Sequence, residues 1–358
     1  MKRINNKFGA GILYESKDLG NCIYAVCTAC MSVWSDFLSF ANAESEKDGK
    51  MVAGFYWNDA DYQTDTIVVL GCQVTDLAIY NDLDVAEKLH TKYPNIPIYM
   101  GGCLAHRFDI ELPKWLRRLD VVREKYQEIV NRGEEVINYR RPFWNKDLKP
   151  DADEFETGNL FRHMYPLKIG AGCHGKCRYC TIRDTRGEAY ESDAFLQVRE
   201  FLDHADEGVV LISDSPTIQQ IKDWAEISCR YGKSISFRNV EPQNALCCKE
   251  QLMELATRGL LKIFHCPIQS NDPKVLQAMN RDVTKTMDYI EFVQKLRELG
   301  VKVATNIIID YKVDGKTFHN MPEDWLNEHF DYWSWNPYFD GNWNYEKAQQ
   351  RFKYYIGD

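Results

Sequence analysis

Short aliphatic runs alternate with amphipathic stretches along most of this 358-residue chain, and that alternation restricts it to an α/β fold. In the first part, Cys22-Ile23-Tyr24-Ala25-Val26, Thr66-Ile67-Val68-Val69-Leu70 and Ile96-Pro97-Ile98-Tyr99-Met100 read as buried strands. The segments 33–43 and 76–93 carry apolar residues at helical spacing. Strands separated by helices imply right-handed crossovers and a parallel, Rossmann-like sheet. The stretch 136–165 holds Pro142, Pro150 and a run of charges from Lys146 to Glu156, the composition of an exposed linker. The alternation then resumes, with strands at 209–213, 234–238, 261–264 and 303–309 and helices at 195–205, 218–231, 249–258 and 287–299. The predicted division is a first domain at 1–140, a linker at 141–164, a second domain at 165–312 and an aromatic-rich tail at 313–358.

Cysteines fall where a parallel sheet would present them. Each of the first three strands is followed within a few residues by a thiol, Cys30, Cys72 and Cys103, and equivalent strand ends share one sheet edge. Cys27 competes with Cys30 as the first of this set. Three buried free cysteines acting as small hydrophobes are the alternative reading. A second set is local: Ile169-Gly170-Ala171-Gly172-Cys173-His174-Gly175-Lys176-Cys177-Arg178-Tyr179-Cys180 places three thiols in a CxxxCx(aromatic)C loop. Three thiolates so spaced can hold three corners of a 4Fe-4S cube and leave the fourth iron open. The competing reading is zinc, which requires a fourth protein ligand from elsewhere in the chain.

Composition narrows the setting. The chain has 12 cysteines, but Lys2, Arg3 and Lys7 precede no apolar leader core, so a reducing cytoplasm is expected rather than a disulfide scaffold. No apolar run approaches the roughly 20 residues of a membrane span, so no membrane association is expected. A formal net charge of -9 argues against broad electrostatic binding to nucleic acid.

The CxxxCxYC loop resembles the signature of the radical S-adenosylmethionine (SAM) enzymes, in which SAM chelates the open iron and one electron from the cluster releases a 5'-deoxyadenosyl radical. Further motifs resemble one branch of that superfamily, the methylthiotransferases, which convert C-H to C-SCH3. These are Cys30-Met31-Ser32-Val33-Trp34-Ser35-Asp36, Val69-Leu70-Gly71-Cys72-Gln73-Val74-Thr75-Asp76 and Gly101-Gly102-Cys103-Leu104-Ala105-His106-Arg107. After the loop come Thr185-Arg186-Gly187, then Pro267-Ile268-Gln269-Ser270, then Leu276-Gln277-Ala278-Met279-Asn280-Arg281, each similar to a family motif. Asp36 matches an Asp the family places six residues after its first cysteine, which favours Cys30 over Cys27; Met31, Ser32 and Val33 depart from the pattern. Asn306 stands where the family commonly has Asp, and Asp310 to Gly315 replaces a Gly-Phe-Pro-Gly-Glu turn.

The resemblance implies an N-terminal auxiliary-cluster domain and a partial (β/α)6 barrel of the radical SAM type. It implies two 4Fe-4S clusters, one on Cys173, Cys177 and Cys180 and one on Cys30, Cys72 and Cys103, with SAM serving as both methyl donor and radical source. Tyr179, Arg186, Ser213, Asp214, Arg238 and Gln269, on the loop or at strand ends, are the expected SAM contacts. Cys22, Cys229, Cys247, Cys248 and Cys266 are expected to be structural. An electron donor such as flavodoxin or ferredoxin and a sulfur source are the implied partners. Known family substrates are an adenosine in tRNA and an aspartate in a ribosomal protein. The acidic balance, the aromatic tail and the lack of room for an appended TRAM barrel favour a protein or peptide, with tRNA as the alternative. A non-catalytic iron-sulfur or zinc protein is the reading from a different class.

Overall fold

The computed structural model describes residues 2–3, 22–28, 30, 32–33, 51–54, 66–118, 160–161, 164–186, 189–318, 321–340 and 343–356. They form two compact units, one drawn from 8–147 and 339–358, the other from 1–7 and 148–338. The first strand, β1 (Lys2–Arg3), belongs to the second unit.

The first unit is built on five parallel strands: β2 (Cys22–Cys27), β3 (Met51–Gly54), β4 (Thr66–Gly71), β5 (Ile98–Gly102) and β6 (Leu116–Arg118), in the order β3-β2-β4-β5-β6. Ile67, Val68, Val69 and Leu70 of the central strand β4 are all buried, as expected of a strand covered on both faces. The helix Asp76–Lys92 starts where Thr75 Oγ1 accepts the Ala78 N–H at 3.0 Å, and it buries Ile79, Leu83, Ala86 and Leu89 in the core of this unit. The third strand runs two residues later than its apolar run suggested, because Gly101 and Gly102 continue the ladder against Leu70 and Gly71. The helix expected at 33–43 lies outside the described residues beyond Val33, as does the linker 141–164 apart from residues 160, 161 and 164.

The second unit carries a seven-stranded parallel sheet. Its strands are β7 (Tyr165–Lys168), β10 (Val209–Ile212), β11 (Ile235–Phe237), β12 (Leu261–His265), β13 (Lys302–Ile309) and β16 (Tyr332–Pro337), with β1 at the edge beside β16. Between them lie two small antiparallel pairs, β8 (Gly170–Ala171) with β9 (Tyr190–Glu191) and β14 (Tyr311–Val313) with β15 (Lys316–Phe318). From β7 to β16 the spatial order follows the chain order, the winding of a partial (β/α) barrel. Helices Val198–His204, Ile218–Tyr231, Lys249–Thr257 and Val283–Glu298 make the crossovers. Both sheets are parallel, which is the α/β architecture that the alternation required.

The stretch 313–358 has more structure than a tail. Tyr332 to Pro337 pairs residue by residue with Ala304 to Ile309, making β16 the sixth sequential strand of the sheet. The residues after Tyr338 belong to the first unit, where helix Tyr345–Ile356 lies on helix Asp76–Lys92. There Arg351 Nη1 pairs with Asp76 Oδ2 at 2.7 Å, and the Tyr80 and Tyr345 rings are 5.2 Å apart.

Candidate active site

In the second unit, every expected site residue sits on the cluster loop or at the carboxyl edge of the sheet. The loop leaves β7 through β8 and returns along the short helix Ile182–Arg186. Asp214, beyond β10, anchors its start by accepting the Gly172 N–H at 2.9 Å and facing Arg186 at 3.6 Å, both side chains nearly buried. The Gly175 N–H donates to Cys173 Sγ at 3.1 Å, and a Cβ at Gly175 would stand 3.0 Å from that sulfur. Burial raises the Cys173 and Cys177 thiols above the ordinary range. Cys180 is reachable by solvent yet closely surrounded, as a group in a concave mouth is, and burial pushes its thiol up to about 12. Cys173 responds to the charge of Cys177, and Cys180 to the charges of both.

Residues 278–281 grip the loop from outside. The Arg178 N–H donates to Met279 O at 3.0 Å and Asn280 Nδ2 donates to Lys176 O at 2.8 Å. Arg281 Nη1 donates to the Tyr179 hydroxyl at 3.0 Å and stands 3.8 Å from Cys177 Sγ. Tyr179, expected at SAM, is an attachment point of the loop.

The other expected contacts line the same edge. Ser213 is buried and its Oγ accepts the Ser215 N–H at 3.3 Å. Arg238 ends the β11 run with its Nη1 buried and without a hydrogen-bond partner. Gln269 has a left-handed φ of 68° while its backbone bonds to Asn306 and Ile308 and so extends the sheet. Asn239 and Asp310, also past strand ends, have φ of 62° and 59°. Backbone held in this sparsely populated region collects where a site over-determines the chain.

The sequence did not single out the belt next to them. His265 Nδ1 accepts the Asn239 N–H at 3.1 Å, its Nε2–H donates to Asn306 Oδ1, and Asn306 Nδ2 donates to Ser334 Oγ. Burial, then the Arg238 charge, lowers the imidazole to about 3, so His265 is neutral and the donor order along the belt is fixed. Arg281 and Glu241, paired at 2.8 Å, were also missed; the motif ending in Arg281 carried the only signal.

In the first unit the strand-end thiols share one edge. Cys72 and Cys103 directly follow the paired Gly71 and Gly102, Cys30 follows β2 on the other side of β4, and Cys72 responds to the charges of both other thiols. Cys27 is the last residue of β2. The approach depends on glycine: a Cβ at Gly102, φ 70°, would meet Gly71 O at 2.7 Å and Val33 Cγ1 at 2.8 Å. The Cys72 N–H donates to Asp82 Oδ2 at 2.6 Å, and Arg118 donates to the carbonyls of Leu104, Ala105 and Ile110, closing the turn that bears Cys103. Burial, Asp82 and the two other thiols raise Cys72 well above the usual range.

Among the described residues no three His, Cys, Asp or Glu side chains are grouped as ligands of a single ion. One zinc ion draws its sulfurs in to about 2.3 Å from a common centre, whereas a cube with one thiolate per corner spreads them further. Two half-buried thiols and a solvent-reachable third on one loop, with N–H donors at the Cys173 and Cys177 sulfurs, are a donor set that suits the cube.

Residues 167–323 match the family model described as the radical SAM superfamily. The chain carries a radical SAM domain. That family implies SAM and a 4Fe-4S cluster. Its similar curated proteins include the tRNA-2-methylthio-N(6)-dimethylallyladenosine synthases of Alkaliphilus oremlandii, 23% identical over 265 residues, and Delftia acidovorans, 26% identical over 282 residues. The alignments cover 66% and 70% of this chain but 54% and 61% of those proteins, so the chain spans little more than half their length. Beyond the radical SAM domain, the chain is similar to these methylthio synthases at low identity. Among solved structures, the radical SAM methyltransferase TsrM from Kitasatospora setae aligns over 81% of this chain and 68% of its own, at 10% identity and a TM-score of 0.49. No helix among the described residues is long and apolar enough to cross a membrane.

Proposed function

We propose that this chain is a radical SAM methylthiotransferase with two 4Fe-4S clusters, replacing a C-H of its substrate by C-SCH3. The observation that carries the reading is the second set of thiols: Cys72 and Cys103 follow the paired ends of β4 and β5, and Cys30 follows β2, the other neighbour of β4. A radical SAM enzyme needs one three-cysteine loop; a second triad at a separate sheet edge supports a second, sulfur-carrying centre.

The bound groups supply one-electron cleavage of SAM at the loop site and a transferable sulfur at the other. The chain's own residues hold and orient them. Cys173, Cys177 and Cys180 would ligate the first cluster, and the buried Asp214–Arg186 pair fixes the start of their loop. Arg238, with an unpartnered buried nitrogen at the sheet edge, is suited to an anionic group such as the SAM carboxylate. Ser213 and Gln269 follow strand ends of the same sheet. An external one-electron donor, such as flavodoxin or ferredoxin, and a sulfur source complete the requirements.

For the substrate, the relatives' names favour an adenosine in tRNA over the peptide suggested by the charge balance and the aromatic tail. The structure weakens the peptide argument too, because Trp333 is buried in β16 and the remaining aromatics are divided between two units. A net charge of -9 bears on the whole surface and leaves local phosphate contacts open.

The test is anaerobic reconstitution followed by incubation with SAM and reductant. Both S-adenosylhomocysteine and 5'-deoxyadenosine are expected, with a gain of about 46 Da on a tRNA nucleoside, the replacement of H by SCH3. Modified protein with unmodified RNA would restore the peptide reading; tightly bound zinc without iron would overturn the enzyme reading.

A further inference from the structure

Arg281 lies 104 positions from Cys177, yet its guanidinium reaches that sulfur. Its side chain is 3% exposed. Nη2 donates to Pro267 O at 2.8 Å and pairs with Glu241 at 2.8 Å, while Nη1 meets Tyr179 and Cys177. Arg281 is therefore both the counter-charge to Glu241 and an N–H donor at one sulfur of the site.

We infer that Arg281 is a positioning residue that sets how readily a cluster held by Cys173, Cys177 and Cys180 accepts an electron, by donating to the Cys177 sulfur. The inference rests on the cluster reading of that loop. Hydrogen bonds to cluster sulfurs and local positive charge stabilise the reduced, more negative state. The fork geometry matters as well, since one side of the guanidinium serves Glu241 and Pro267 and the other serves Tyr179 and Cys177. A lysine would supply a point charge without that span.

The experiment is an EPR-monitored dithionite titration of the anaerobically reconstituted full chain, made in a background with Cys30, Cys72 and Cys103 changed to Ala so that only the loop site is read. Arg281→Met is expected to disfavour reduction about tenfold, which for one electron is about 59 mV more negative. Arg281→Lys should fall between the two. Asn280→Ala, which loosens the grip on Lys176 without removing charge, should leave the potential unchanged. An unchanged potential in Arg281→Met, or the same shift in Asn280→Ala, would overturn the inference. If Arg281→Met does not fold because Glu241 is left unpaired, Arg281→Met with Glu241→Gln is compared with Glu241→Gln alone, and the lower potential is expected in the double variant; equal potentials would overturn the inference. A parent protein that binds no iron would instead overturn the cluster reading beneath it.

Discussion

The Asp82 carboxylate accepts the backbone N–H of Cys72 at 2.6 Å from a position that is fully buried. It joins helix Asp76–Lys92 to the end of β4, where a Cβ at Gly71 would lie 2.8 Å from the same oxygen. Burial raises its pKa well above the carboxylate range, opposed by the Thr28 side chain and the Cys72 amide. A buried acid held only by the Cys72 amide and the Thr28 side chain is a costly choice for a helix interior. Here it fixes the turn that carries the central thiol of the second set.

Asp82→Ala should leave the Cys72 N–H unsatisfied and cost about 1–3 kcal/mol. Iron bound by the reconstituted chain should fall by roughly half, from about eight to about four atoms if each triad holds one cubane. Chemical denaturation and iron analysis check this, and full iron content in the variant would count against a positioning role for Asp82.

Cys72→Ala should separate the two activities. Formation of 5'-deoxyadenosine from SAM should survive, because the loop of Cys173, Cys177 and Cys180 belongs to the other compact unit, while methyl transfer should drop below detection. Chromatography of SAM products measures both. Normal methyl transfer would remove Cys72 from the second site.

Glu200 gives a pH dependence of stability. Burial pushes it up to about 7 from an ordinary 4.5, with the Tyr165 hydroxyl, 2.6 Å away, opposing the shift and Asp203 adding to it. Because the folded pKa is the higher one, its stabilising contribution is complete below the unfolded pKa and is lost as pH rises through about 7. The effect is at most about 3 kcal/mol. Thermal unfolding between about pH 4.5 and pH 8 should show stability falling with pH in the parent and a flatter profile in Glu200→Gln.

His265 is held neutral at about 3 against Asn306. Asn306→Asp would place a carboxylate at its Nε2 and should raise the imidazole pKa by one unit or more. NMR titration of the ring reads this directly. No movement would mean that burial and Arg238 alone decide the protonation state.

Ending the chain after Tyr338 removes helix Tyr345–Ile356 but keeps β16, whereas ending it after Phe318 removes a strand paired on both sides, by β13 and β1. The first truncation should leave the radical SAM unit cooperatively folded, and the second should abolish that unit's unfolding transition. Circular dichroism melts of the two chains decide it.

The parts of the molecule that were legible in advance are those whose cause is local. Aliphatic runs such as Ile67 to Leu70 spell out a strand buried on both faces, and the helix Asp76–Lys92 shows its apolar period and its Thr75 cap in consecutive residues. The CxxxCxYC loop needs no fold to bring its thiols together, because they lie within eight residues, from Cys173 to Cys180. The parallel order of the strands that precede Cys30, Cys72 and Cys103 was readable at one remove, from the alternation of strand and helix patterns. β16 was not legible, since Tyr-Trp-Ser-Trp-Asn-Pro has no aliphatic run and takes its strand form from pairing with β13 and β1. Nor were Arg281 at Cys177, Asp82 at the Cys72 amide, or the His265–Asn306–Ser334 belt. A buried polar side chain is placed by the partner that satisfies it. When that partner lies on another strand tens of residues away, the neighbouring sequence carries no period or spacing to record it, and only the packed sheet edge brings the two together.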